Sequence, residues 1–347
     1  MKLSKSVLTA AVLALAVVLV VQHAVAGSGR RAGTAGAQEL LIPVGGAGMA
    51  LSGSFTPTVT GVEAMYWNPA GLSLLSGSAE LMFSHMNYLA AIGVEYAAAG
   101  AKMGESSVVG ISVQSLDFGN IPVTTVDLPD GTGETYSPTF LTIGLTYSRM
   151  MTDKIAFGAT AKLISESILR QTATGVAFDF GLQYRSSISG LAFGVTLKNL
   201  GPTMKFGGPD LESKVQLPGT EPGSQPRALS TLAQEFELPS TLDFGISYER
   251  QLQANLTTRL STTFEHHNYS YDNIKLGVEF GYQSMVFVRG GYLLSADTPE
   301  DEKVYTFTVG GGVHFNMAEN LTFSLDYAFR QAEFFGDNQV FALKVGL

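Results

Sequence analysis

From Val176 to Arg185 the chain reads Val-Ala-Phe-Asp-Phe-Gly-Leu-Gln-Tyr-Arg, with every even position apolar or aromatic and every odd one small, polar or charged. Side chains on a strand point alternately to opposite faces, so this segment is a strand with one oily and one wet face. The same period recurs in Leu242, Phe244, Ile246 and Tyr248 against Asp243, Gly245, Ser247 and Glu249, and in Ile274 through Tyr282 against Lys275, Gly277, Glu279 and Gly281. It recurs again in Leu321 through Phe329 against Thr322, Ser324, Asp326, Ala328 and Arg330, and the last residues run Phe341, Leu343, Val345, Leu347. A chain built from such segments is restricted to sheets. What remains open is which medium each face meets.

A soluble sandwich buries its oily face and wets the other, and its strands usually span about 5 to 6 residues. The runs here are longer, about 9 to 11 residues, and many end in Tyr or Phe, as the strands of a transmembrane barrel with aromatic girdles do. The inner face then carries Asp179, Arg185, Lys198, Asp243, Glu249, Arg259, Glu265, Lys275, Glu279, Arg289 and Asp326, which suits a wet lumen. Only 15% of residues are charged, against roughly 25% in an average soluble protein. We expect an all-β fold, a transmembrane barrel.

Strands are expected near 79–88, 91–99, 106–116, 139–148, 154–165, 174–185, 191–199, 240–249, 254–265, 273–282, 285–293, 303–315, 320–329 and 339–347, fourteen in all and antiparallel. With a periplasmic N-terminus, connections after odd strands face outside and should be long, and those after even strands should be short. Five even-side connections are short: 150–153, 186–190, 250–253, 283–284 and 316–319. The odd-side ones at 117–138, 166–173, 200–239, 266–272, 294–302 and 331–338 are longer, and only the first, around Leu89-Ala90, is tight. A sandwich has no reason to show this parity.

Ahead of the barrel, Lys2 and Lys5 precede an apolar run from Val7 to Val21 and the small-residue site Ala24-Val25-Ala26, the pattern of a secretory signal peptide over residues 1–26. Ala35-Gly36-Ala37 offers an alternative cleavage after residue 37. The apolar run falls short of the roughly 20 residues that span a bilayer as a helix. The formal charge of -9 gives no basic footprint for nucleic acid. The absence of cysteine removes disulfides, thiolate metal sites and thiol nucleophiles.

Residues 38–76 do not alternate. Pro43-Val44-Gly45-Gly46-Ala47-Gly48-Met49-Ala50 leads to Glu63-Ala64-Met65-Tyr66-Trp67-Asn68-Pro69-Ala70-Gly71-Leu72, which contains the one Trp of the chain. The glycines lack GxGxxG or a Gly-Lys-Ser/Thr ending, so a phosphate loop is disfavoured. Asn68-Pro69 starts a turn, because proline biases the preceding residue away from the helix and the Asn side chain bonds nearby amides. We expect residues 27–76 to form an N-terminal segment and plug, anchored by Trp67 to Leu72, and residues 77–347 to form the barrel.

Gly45-Gly46-Ala47, Tyr66-Trp67-Asn68-Pro69-Ala70-Gly71-Leu72, Phe83-Ser84-His85 with Tyr88-Leu89, and Ser115-Leu116-Asp117-Phe118-Gly119-Asn120-Ile121 together resemble the PorV/PorQ family of outer-membrane proteins. That family is similar to the FadL-type fatty-acid channels, with an Asn-Pro-Ala turn in an N-terminal hatch and a fourteen-stranded barrel. The specific motifs lie in residues 45–121. One departure is the C-terminus, Leu347 where many such barrels end in Phe, although its place on the oily face is kept. The resemblance implies outer-membrane lipid as the surroundings and one of two roles. The first is type IX protein secretion, by docking to a translocon or carrying cargo. The second is a passive channel for a hydrophobic ligand, gated by the hatch.

No catalytic motif is present: there is no His-Glu-x-x-His and no Gly-x-Ser-x-Gly. His266 and His267, near Ser261, are adjacent on a strand and point to opposite faces, so they read as exposed rim residues. The acidic run 297–302 lacks the spacing of a calcium loop. No cofactor or metal is expected. Asp243 and Lys275 read equally as permeation-path charges and as a cross-barrel pair. The connection 200–239, with Pro202, Pro209, Pro218, Pro222 and Pro226 ahead of Pro239, is the segment most suited to a partner.

Overall fold

In the computed structural model, which describes residues 31, 33–216, 219, 225, 227–295, 298–318, 321–334 and 336–347, fourteen strands close into one antiparallel barrel. They are β1 Ala79–Asn87, β2 Gly93–Lys102, β3 Ser107–Asp117, β4 Thr139–Met150, β5 Ile155–Ile168, β6 Gln171–Arg185 and β7 Leu191–Leu200. The second half comprises β8 Thr241–Gln253, β9 Leu256–His267, β10 Asn273–Tyr282, β11 Val286–Leu294, β12 Tyr305–Ala318, β13 Leu321–Ala332 and β14 Asn338–Gly346. Each pairs with the next, and β14 pairs with β1 from Gln339↔Asn87 to Gly346↔Glu80. The Leu347 carbonyl accepts from the amides of Ser78 and Ala79, so the last residue ties the closing seam. Closure leaves the barrel without an edge strand. The expected signal peptide, 1–26, lies outside the described residues.

Burial is inverted relative to a soluble protein. On β4, Ile143, Leu145 and Tyr147 are exposed while Thr142, Thr146 and Ser148 are buried. On β6, Val176, Phe178, Phe180 and Leu182 are exposed while Asp179 is fully buried. Such an apolar outer belt is stable only against hydrocarbon, where the backbone groups of the strands bond to one another around the closed ladder instead of to water. Stacked pairs Tyr184–Phe193 and Phe315–Phe323 lie near the strand ends that carry the short turns. Among the described residues no helix is long and apolar enough to cross a membrane; the strands do so.

Two connections differ from expectation. β5 and β6 run on past the expected ends to Ile168 and Gln171, so the connection expected at 166–173 is a two-residue turn, with Leu169 in left-handed backbone. The ladder continues because each strand covers the other's backbone groups. The connection 200–239 is not structureless. β6 outruns β7, which pairs with it only as far as Phe178↔Leu200. Phe206–Gly207 folds back onto the bare edge at Thr172 and Ala173, and Glu212–Val215 pairs with Arg227–Ser230 as a hairpin.

Candidate functional site

The chain from Ala37 to Leu75 lies inside the barrel as short helical turns, Gln38–Leu41, Gly46–Ala50, Gly61–Glu63, Ala64–Trp67 and Pro69–Leu74. Its core joins Val44, Leu51, Val59, Met65, Trp67 and Leu72 to the lumenal Met82 and Tyr96. Asn68 takes extended backbone ahead of Pro69, as a residue before proline does, and caps the turn that follows. Its Oδ1 accepts from the Ala70 amide at 3.2 Å. Its Nδ2 donates to the Thr56 carbonyl at 3.0 Å and across to the wall at the Leu182 carbonyl at 3.2 Å.

The wall is shaped to receive this turn. Gly158 on β5 and Gly181 on β6 are register partners. A methyl on Gly158 would overlap the backbone of Pro69 and Ala70, and one on Gly181 would overlap Asn68 and Pro69. The Ala70 carbonyl accepts from the wall hydroxyl of Ser148 at 2.8 Å. Gly71 packs on the Val59 carbonyl, and Leu72 is fully buried. The Trp67 indole donates to the Val44 carbonyl at 3.0 Å and lies flush against Gly48. The glycines of this run serve three close approaches: Gly45 lies against Glu63, Gly46 against Asp326 and Gly48 against the indole.

Of the residues expected on the wet face, Asp179, Lys198, Asp243, Glu265, Lys275, Glu279, Arg289 and Asp326 are buried, Arg259 is partly buried, and Glu249 is exposed at the short-turn end of β8; register sets several of them side by side. Arg259 stands opposite both Glu249 and Glu279, and Glu279 opposite Arg289. The result is a string of alternating charges: Arg259 reaches Glu249 at 2.5 Å and Glu279 at 2.8 Å, and Arg289 reaches Glu279 and Asp326 at 2.6 Å each. Lys344 joins Asp326 at 3.3 Å to Glu63 of the inner segment at 2.9 Å. Asp179 pairs with Lys162 at 2.6 Å. Asp243 and Lys275 do not pair with each other: Asp243 faces Lys198 at 3.4 Å, and Lys275 reaches Glu265 at 2.6 Å.

Three expectations need correction or addition. Arg185 is exposed at the short-turn end of β6 and lies apart from the charge string, because the strand has left the lumen by that point. His267 is not an exposed rim residue: it is buried, bonded to Tyr269 at 2.9 Å and Glu265 at 3.0 Å, while His266 bonds Asp272 at 2.8 Å on the other face. Ser261 bonds Ser54 of the inner segment at 2.8 Å. The sequence reading missed Lys162 and Lys344, both in phase with the wet face of their strands, and also Glu39 and Glu63, which no periodicity marks. Among the described residues no cluster of three His, Asp or Glu is placed to hold a metal.

Between the inner segment and the wall, toward the end with the longer connections, lies a half-open cavity of about 190 Å³. Its floor is Met49, Tyr66 and Trp67, the rings meeting edge to face at 5.0 Å. Its walls are Lys198, Glu265, Lys275, Tyr305 and Arg330. The Lys198 ammonium sits 5.5 Å from the Tyr66 ring centre and 5.9 Å from that of Trp67. Burial holds the Tyr66 phenol well above the usual phenol range, so it stays neutral. On the opposite side of the segment, burial and the neighbouring Glu166 carboxyl push Glu39 up to about 8.

Neither protein-family models nor curated protein sequences match this chain. Solved structures do match. The Ralstonia pickettii toluene transporter TbuX superposes with a TM-score of 0.51 at 14% identity, over 88% of this chain and 98% of that one. The Pseudomonas putida toluene transporter TodX gives 0.54 at 14%, over 86% and 96%. A Pseudomonas aeruginosa FadL homologue gives 0.51 at 13%, over 87% and 97%. The fold is FadL-like. At these identities the likeness is one of architecture, and within this FadL-like barrel the PorV/PorQ resemblance rests on the quoted motifs alone.

Proposed function

We propose that this chain is an outer-membrane channel for small hydrophobic compounds, with residues 37–75 acting as its plug. The observation that carries this reading is the cavity above Trp67, half open toward the longer connections and floored by apolar and aromatic side chains. Apolar, concave and lined by a few convergent polar groups is the usual constitution of a ligand site. Its volume suits a single ring, since an apolar cavity of roughly 150 Å³ holds benzene. TbuX and TodX, described as toluene transporters, share the architecture. No observation among the described residues favours a secretion role over this one.

Purification from the native envelope in mild detergent, followed by mass spectrometry of bound small molecules and proteins, tests the reading. The expected result is the barrel with a small hydrophobic compound. Recovery with a large translocon and no such compound would overturn it.

A further inference from the structure

Within the lumen, buried basic groups are matched by acids: Lys162 by Asp179, Arg289 by Glu279 and Asp326, Lys344 by Glu63, Lys198 by Asp243, Lys275 by Glu265. Arg330, on the wall of the cavity, is the exception. Among the described residues no carboxylate forms an ion pair with it. Its guanidinium stacks on Tyr305, 3.7 Å from the ring centre. With the amide oxygen of Asn338 turned toward it, that oxygen accepts from Nη2 at 2.7 Å and Nε at 3.2 Å. The Tyr305 hydroxyl in turn meets that of Tyr88 at 3.3 Å. The arginine is thus held in place by a ring and an amide, neither of which neutralises it.

The charges around the cavity do not cancel. Lys198, Lys275 and Arg330 are three cations, while Glu265 and Asp243 are two carboxylates, which leaves one positive charge in excess. A guanidinium carries five donors in a planar fork matched to a carboxylate, and a charged pair shielded from water is worth more than one in bulk solvent. A purely neutral hydrocarbon would cover this cation without answering it. The small volume also excludes a long alkyl chain lying wholly within the cavity.

We propose that the cavity selects small apolar acids of the size of an aromatic carboxylate, the body resting on Tyr66 and Trp67 and the carboxylate facing Arg330. This rests on the channel reading above and narrows its substrate class. Trp67 is the only tryptophan of the chain and forms the cavity floor, so its fluorescence reports on this site alone.

The full barrel in detergent, at neutral pH and fixed ionic strength, is titrated with benzoate, toluene and benzylamine. Benzoate should bind roughly ten- to hundredfold more tightly than toluene, as one charge-assisted pair provides, and benzylamine should bind least. R330Q should bring the benzoate-to-toluene ratio toward one, and R330K should restore part of it, with heat-modifiable gel migration verifying that each variant is folded. Equal binding of benzoate and toluene, tighter binding of benzylamine, or an undiminished ratio in R330Q overturns the selectivity and leaves the channel reading standing. If no compound changes the Trp67 emission, both fall.

Discussion

Gly158 and Gly181 face each other across β5 and β6 and together form the notch that receives the Asn68-Pro69-Ala70 turn. The wall and the inner segment are complementary there at the level of backbone, so neither can shift cheaply. In G158A the new methyl meets main chain rather than a flexible side chain, and overpacking of this kind costs about 1–3 kcal/mol. The variant should close a normal barrel while loosening residues 64–74, read as faster amide exchange there and a raised ion conductance in planar bilayers. Unaltered exchange and conductance would show that the notch does not hold the plug.

The pair Lys344–Glu63 joins residues 281 positions apart. Removing the lysine leaves a buried carboxylate whose remaining partner is the Gly48 amide at 3.1 Å, whereas removing the acid leaves Lys344 its second partner, Asp326. K344M should therefore destabilise by about 3–5 kcal/mol, the cost of orphaning a buried ion, and E63Q by less. Denaturant midpoints in detergent decide the order. The reverse order would place the anchoring elsewhere.

Glu39 gives the attachment of the inner segment a pH dependence. Its carboxyl is raised from about 4.5 to about 8 by burial and by Glu166, so the docked form holds the proton more tightly than the released one. Docking is then strongest below about 4.5, weakens as pH climbs to about 8 and changes little beyond. Protease susceptibility of the 37–45 stretch should rise across that window in the native chain. In E39Q the rise should be clearly smaller.

On the outer surface, Leu145 is 64% exposed at mid-strand on β4. An arginine there faces hydrocarbon and should cost about 2–4 kcal/mol, falling to about 0–1 for a substitution near the strand end, such as Phe157→Arg. Urea unfolding from lipid vesicles measures both. Equal costs at the two depths would mean that the apolar belt does not face a bilayer.

The period-two pattern was enough to set the class, the number of strands and the face on which each residue sits, because a strand's side-chain geometry is local and a one-residue slip inverts both faces. Asp179, Asp243, Glu279 and Asp326 were legible as lumenal for that reason, and Asn68-Pro69 as a turn because proline acts on its immediate neighbour. Partners were not legible. Whether Asp243 meets Lys275 or Lys198 depends on register between strands and on the height of each residue in the barrel, and no short-range rule fixes either. Glu39 and Glu63 carry no periodic mark, and their roles exist only once the inner segment is seated. The unmatched charge of Arg330 is of the same kind: any arginine on the wet face of a strand looks alike in sequence, and only the closed barrel with its folded inner segment shows that, among the described residues, this one has no acid beside it.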